Sequence, residues 1–225
     1  IILVLIGVAL SLWAQGRVNS TFSRYSRVRS MTGMTGAEAA RRLLNAQGIY
    51  DVTVQQIAGE LTDHYDPRTK TVNLSQSVYG ATSVAAIGVA AHECGHAMQD
   101  NEGYAPLRFR SALVPVANFG SSLSWPLILL GLVFGGLGSP LVEIGILMFS
   151  LAVLFQLVTL PVEYNASARA VRLLDAQGIL AGEEVNGTRK VLNAAALTYV
   201  AAAATSILQL LRLIILFGGR NRRDR

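Results

Sequence analysis

The sequence predicts a mainly α-helical integral membrane protein with a small α+β region that includes a short β-hairpin. Only 15% of the 225 residues are charged, whereas roughly 25% is usual in soluble domains. The charges are also unevenly distributed, because four long apolar blocks alternate with polar segments. A soluble core is the alternative, but three blocks of more than about 20 residues in a chain of this length favour about four transmembrane or membrane-associated helices.

These blocks define the predicted organisation of the chain, which we interpret as one structural unit. A transmembrane helix truncated at its N-terminus occupies 1–16, with a signal peptide as its alternative, although no basic segment is visible before it. The uncharged stretch at 135–140 favours a tight turn within a helical hairpin. The other predicted segments are a polar region at 17–111, the transmembrane hairpin at 112–162, a polar helix and loop at 163–193, a membrane helix at 194–217 and a basic tail at 218–225.

The basic residues predict the orientation in the bilayer. Ten Lys and Arg residues lie in 15–111, four lie in 163–193, and none lies in 135–140. The positive-inside rule therefore predicts that both polar segments face the cytoplasm in a multi-pass protein of the bacterial inner membrane. Four arginines after residue 217 contradict this arrangement unless the last block lies along the membrane surface. We interpret the net charge of +5 as an attraction of the basic residues to anionic lipid headgroups. No nucleic-acid partner is expected, because no nucleic-acid-binding motif accompanies the charge.

Local signals organise the polar region. Thr35 to Glu38 forms a capping box that predicts a helix, with Gly48 as its stop. Alternating residues at 52–55 indicate a strand, and the turn chemistry at 66–69 predicts a hairpin between two further strands. Ser83 is the predicted N-cap of a helix that continues to about Asn101.

That last helix contains His92-Glu93-Cys94-Gly95-His96, which has the form H-E-x-x-H. The two histidines share one helix face, with Cβ atoms about 6 Å apart, and a single Zn²⁺ can bridge them. Glu93 is predicted to act as a general base rather than as a ligand. The alternative is two histidines on a surface beside an exposed glutamate, but the apolar turns at 84–91 predict a buried helix, where unpartnered imidazoles are costly. Cobalt and manganese remain alternatives to zinc.

A catalytic zinc site needs a third protein ligand and an open position. His64 and several carboxylates compete for this role, and Glu163 is our choice because it directly follows the third apolar block. The alternative for Glu163 is an interfacial glutamate that faces water.

Three motifs, at 91–99, 61–68 and 162–167, together resemble the YugP family of bacterial membrane zinc metallopeptidases, over residues 13–217. The resemblance implies a gluzincin-type catalytic region with a zincin-like α+β fold, distantly similar to HtpX-like membrane proteases. It also implies a downstream glutamate as third ligand, which falls on Glu163.

The HtpX-like proteases have an aspartate four residues beyond this glutamate, where it orients a ligand histidine. Ser167 occupies that position here. A serine can accept a hydrogen bond from a histidine but carries no charge, so the resemblance does not imply that a carboxylate orients the histidine here. Asn165 is the other candidate for this orienting role.

Other residues near the motifs have two interpretations each. His64 could stabilise the oxyanion or belong to an edge strand that pairs with substrate, or it could be a surface histidine. Arg169 could donate to the oxyanion or to Glu163, or it could face lipid phosphate. Cys94 is predicted to be a small packed residue, and nothing selects Tyr104 or Tyr164 as a donor.

The predicted function is a zinc endopeptidase with one catalytic Zn²⁺, acting on protein or peptide substrates in or near the membrane. A membrane scaffold or regulator with a structural zinc is the main alternative. A channel or transporter is a weaker one, because only Glu143 and Arg212 could line a polar path.

Overall fold

The computed structural model describes residues 1–136 and 139–217, so the tail at 218–225 and the centre of the predicted turn lie outside the described residues. The predicted mainly helical fold with a small sheet is confirmed. Four helices in the described part are long and apolar enough to cross a membrane. The elements are α1 (Ile2–Tyr25), α2 (Gly36–Ala46), β1 (Thr53–Ile57), β2 (His64–Asp66), β3 (Thr71–Ser75), α3 (Gln76–Tyr79), α4 (Val84–Asn101), α5 (Ala105–Gly135), α6 (Pro140–Ala176) and α7 (Glu183–Phe217).

The long helices extend beyond the apolar blocks that predicted them. α1 passes the predicted boundary at 16 and ends at Tyr25, and α7 begins at Glu183 rather than near residue 194. α6 continues through Pro161, which removes one backbone hydrogen bond without ending the helix. Hydropathy predicts only the part of a helix that lies in lipid, so it did not predict the polar continuation of these helices.

One compact unit consists of Ile1–Ala14, Arg108–Leu160 and the chain from Thr198 onward. Glycines bring its helices close together: a Cβ on Gly120 would lie 2.7 Å from the carbonyl oxygen of Met148. Large apolar side chains point outward, and Phe134 is 81% exposed. Such a surface is stable in lipid rather than in water, and the chain is a membrane protein.

The second unit consists of Gln15–Leu107 and Pro161–Leu197. Its three-stranded sheet has the order β1-β3-β2, in which β1 is parallel to β3 and β2 is antiparallel to it. The predicted hairpin is the β2–β3 pair. The predicted strand at 52–55 corresponds to β1, which pairs in parallel with β3, and the connection between these two strands contains β2 at the other edge of the sheet.

The core of this unit is a layer of buried aliphatic side chains that surrounds α4. The fully buried members include Leu43 and Leu44 of α2, Leu74 of β3, Ile87 of α4 and Leu174 of α6. The predicted capping box holds α2 in place, because Thr35 accepts from the backbone of Glu38 and the Glu38 carboxylate accepts from the backbone of Thr35. α4 is therefore enclosed on several sides, and its polar residues need internal partners.

Candidate metal centre

Helix α4 places His92 and His96 side by side. Ser83 caps its N-terminus by accepting a hydrogen bond from the backbone of Ala86, as the sequence predicts. The two imidazole rings are one helical turn apart, with centroids separated by 4.8 Å and planes nearly perpendicular at 84°. Both Nε2 atoms can therefore point to one position in space.

Helix α6 reaches this position because it packs tightly on α4. A Cβ on Gly95 would lie 2.6 Å from the carbonyl oxygen of Ala166, so the contact is possible only with glycine. Glu163, one turn before Ala166, is 2% exposed. Its Oε2 lies 3.2 Å from Nε2 of His92 and 3.5 Å from Nε2 of His96. One ligand atom from each of the three residues lies within 4.8 Å of the others.

The remaining nitrogen of His96 has a defined partner. Its Nδ1 is 3.0 Å from Oε1 of Gln99, while Nε2 of Gln99 donates to the carbonyl of Val162 and to Oδ1 of Asn165, each at 2.9 Å. Because the Gln99 amide nitrogen serves two acceptors, its oxygen must accept, and Nδ1 of His96 must donate. In the neutral imidazole the lone pair therefore lies on Nε2, which faces Glu163.

Ser167 plays the corresponding part for His92, since its Oγ lies 3.1 Å from Nδ1 of His92. Among the described hydrogen bonds, Asn165 contacts neither histidine directly. It accepts from Gln99 and, at 2.8 Å, from Nε of Arg169. Ser167 therefore contacts His92 directly, whereas Asn165 is linked to His96 only through Gln99.

The donor set fits zinc. Two imidazole nitrogens and one carboxylate oxygen are the ligand types of catalytic zinc sites, and the hydrogen-bonded Nδ1 atoms fix both rings. Burial opposes protonation of His96, but the hydrogen bond to Glu163 and the charges of Glu93 and Glu163 together raise the pKa of its imidazole. The negative charge of Glu93 and Glu163 beside these buried histidines favours a cation at the same place.

Glu93 lies on α4 between the two histidines in sequence and is 8% exposed. Its charge acts on His96. Its role as general base stays a prediction, as does the ligand role of Glu163. Cys94 is fully buried among apolar side chains, its Sγ lies 3.6 Å from the carbonyl of Ala40, and burial raises the pKa of the thiol.

The other predicted residues have partners of their own. His64 is exposed on β2, where Nδ1 contacts the carbonyl of Thr62 at 2.9 Å and Nε2 contacts the amide nitrogen of Asn73 at 3.2 Å. β2 is an edge strand of the sheet. Arg169 donates to Glu102 at 2.6 Å and lies over the Tyr104 ring.

Gln99 is the residue that sequence analysis missed as part of the site. It is fully buried, and it links His96 to the backbone of α6. The signal was its spacing of three from His96, which places an amide on the same helix face beside the histidine.

The chain is similar to known proteins over nearly its whole length. Residues 1–218 match the family described as "Putative neutral zinc metallopeptidase". The chain is 49% identical over 217 residues, 96% of each chain, to "Putative membrane protease YugP" of Bacillus subtilis (strain 168). No solved structure matches the chain. The predicted resemblance is therefore confirmed, and the chain belongs to the YugP family of zinc metallopeptidases.

Proposed function

We propose that this protein is a membrane-embedded zinc endopeptidase that cleaves membrane or membrane-proximal proteins. The observation that carries the proposal is the convergence of His92, His96 and Glu163, with their ligand atoms within 4.8 Å, beside the buried carboxylate of Glu93. Family membership supports the zinc peptidase chemistry. The name of the Bacillus subtilis relative, a membrane protease, supports a location in the membrane.

The three ligand side chains would hold one zinc ion, which when bound acidifies water and polarises the substrate carbonyl. Gln99 and Ser167 keep the two Nε2 atoms directed at the ion's position through their contacts with the Nδ1 atoms. Glu93 takes a proton from the attacking water and delivers it to the nitrogen of the leaving amine. The peptide C–N bond breaks, and the water's oxygen is retained in the new carboxylate.

A structural zinc site is the competing function, and Glu93 distinguishes the two. We expect Glu93→Gln to retain zinc, because the residue is not a ligand, and to lower the cleavage rate by about 10²–10⁴-fold. Glu60→Gln is the matched control, since Glu60 is exposed in the loop before β2. The measurements are metal content and cleavage of a labelled protein by purified enzyme. Equal cleavage by Glu93→Gln and Glu60→Gln would reject the peptidase.

The ligand set is tested separately. His92→Ala and Glu163→Ala should each purify with little zinc, whereas His64→Ala, a histidine on the exposed edge strand, should keep it. If Glu163→Ala binds zinc as tightly as the unmodified protein, another group supplies the third ligand.

We further propose that the site faces the cytoplasm of a bacterial cell. Cys94 is the single cysteine and is buried, so a cysteine placed at Glu60 can be labelled selectively. A membrane-impermeant maleimide should label Glu60→Cys in inverted vesicles and not in intact cells. Labelling in intact cells would place this segment outside.

The substrate class is tested with a single-span membrane protein and unfolded casein, and equal cleavage of both in detergent would argue against a membrane substrate.

A further inference from the structure

A cavity of about 460 Å³ lies between α1 and α7 within the unit that contains His92, His96 and Glu163. Three cationic side chains line it: Arg17 and Arg24 from α1 and Lys190 from α7. The tight contact between the two helices, where a Cβ on Gly187 would lie 2.7 Å from the Tyr25 ring, holds them together at this cavity. The remaining lining residues are Ser20, Thr21, Tyr25, Asn193, Ala194 and Leu197.

Within the described part of the chain, no carboxylate balances the charge of this cavity. No carboxylate lines it, and none among residues 1–136 and 139–217 forms an ion pair with Arg17, Arg24 or Lys190. Arg17, Arg24 and Lys190 are all exposed, and like charges that line one space repel each other, so an anion bound there would stabilise the arrangement. The hydroxyl of Thr21 and the amide of Asn193 add neutral hydrogen-bond donors, as a phosphate group requires.

The position of the cavity along both helices points to the source of this anion. Arg17 follows Ala14, the last residue of the apolar part of α1, by three positions, which is about 4.5 Å along the helix axis. On α7 the cavity ends at Ala194 and Leu197, where the apolar part of that helix begins. Cations and an apolar wall therefore adjoin, which matches the junction between a phosphate headgroup and its acyl chains.

We propose that this cavity binds the phosphate group of an anionic phospholipid, held by Arg17, Arg24 and Lys190 with an acyl chain against Leu197. The binding is separate from peptide hydrolysis. It would fix α1 and α7 to one another through a lipid at the level of the headgroups.

The proposal is tested by lipid retention. The full-length protein is purified from vesicles of phosphatidylglycerol and phosphatidylcholine, and the lipid that remains bound in detergent is measured by native mass spectrometry. We expect one phosphatidylglycerol to be retained in preference to phosphatidylcholine. Arg17→Ala/Lys190→Ala should weaken retention about 30-fold, the factor that two interactions of about 1 kcal/mol each give. Arg17→Lys/Lys190→Arg keeps both charges and should retain the lipid.

Arg27→Ala/Arg189→Ala is the matched control, since it removes the same charge from the same two regions outside the cavity. Equal loss in both alanine pairs, or no loss in either, would overturn the proposal, because general attraction to an anionic surface would then account for the lipid. Inorganic phosphate at millimolar concentration distinguishes the source. If phosphate displaces the lipid and binds alone with equal affinity, the apolar wall contributes nothing and the lipid assignment is wrong.

Discussion

Replacing Gly95 by alanine tests whether the close approach of α4 and α6 sets the geometry of the metal centre. The added Cβ would lie 2.6 Å from the carbonyl oxygen of Ala166, whereas ordinary van der Waals contact begins at 3.4 Å. The two helices must therefore separate locally by about 0.8 Å. Metal–ligand distances tolerate roughly 0.2 Å, so Glu163 would no longer meet both histidines without strain.

The expected loss of zinc affinity follows from the free-energy cost of overpacking, about 1–3 kcal/mol. This cost corresponds to zinc binding that is weaker by about 5- to 150-fold. The helix itself is not weakened, because alanine is a better helix former than glycine by about 1 kcal/mol. A loss of affinity would therefore come from the contact between helices rather than from unfolding of α4.

Zinc affinity is measured by competition with a chromogenic chelator, and folding by thermal unfolding in detergent. Gly80→Ala is the matched control, since a Cβ there meets no atom within 4 Å. Gly95→Ala/Ala166→Gly should remain defective, because the obstructing atom belongs to the backbone. The reasoning is refuted if Gly95→Ala binds zinc as tightly as Gly80→Ala.

Three further predictions concern residues around the centre. Ser167→Ala should weaken zinc binding about 10-fold or more while Ser167→Asp should not, and equal affinities in the chelator competition would contradict an orienting role. Gln99→Leu leaves Nδ1 of His96 without a partner and removes one of the hydrogen bonds that the Val162 carbonyl and the Asn165 side chain accept, so the free energy of unfolding should fall by about 1–3 kcal/mol. An unchanged denaturant midpoint would argue against this network. The hydrogen bond from Arg169 lowers the pKa of Glu102, so its stabilisation is present above the usual glutamate pKa and is lost as pH falls through the lowered value. Glu102→Gln should remove that part of the acid dependence of the melting temperature, and an identical pH profile would show that the exposed pair contributes nothing.

Features that depend on short stretches of chain were predictable. The capping box at Thr35 and the cap at Ser83 are satisfied by backbone groups three residues away, so their sequence signatures suffice. The apolar blocks likewise predicted the four candidate membrane helices, because the cost of exposing charge to lipid acts on each segment separately.

The ends of the long helices were less predictable. A helix was predicted to begin at 163, but nothing in the sequence indicated that it continues the preceding apolar helix through Pro161 without a break, since packing of the polar half stabilises it. The parallel pairing of β1 with β3 was equally hidden, because strand partners far apart in sequence are chosen by the whole sheet.

By itself, then, the sequence determined the helical membrane class, the helix that carries both histidines and the chemistry those residues favour. Only the tertiary structure decided that Glu163 lies within 3.5 Å of both Nε2 atoms and that Gln99 and Ser167 hold the opposite nitrogens. The physical reason is distance along the chain. Periodicity and capping act within one helix, whereas the meeting of α4 and α6 depends on Gly95 leaving room for a backbone about 70 residues away.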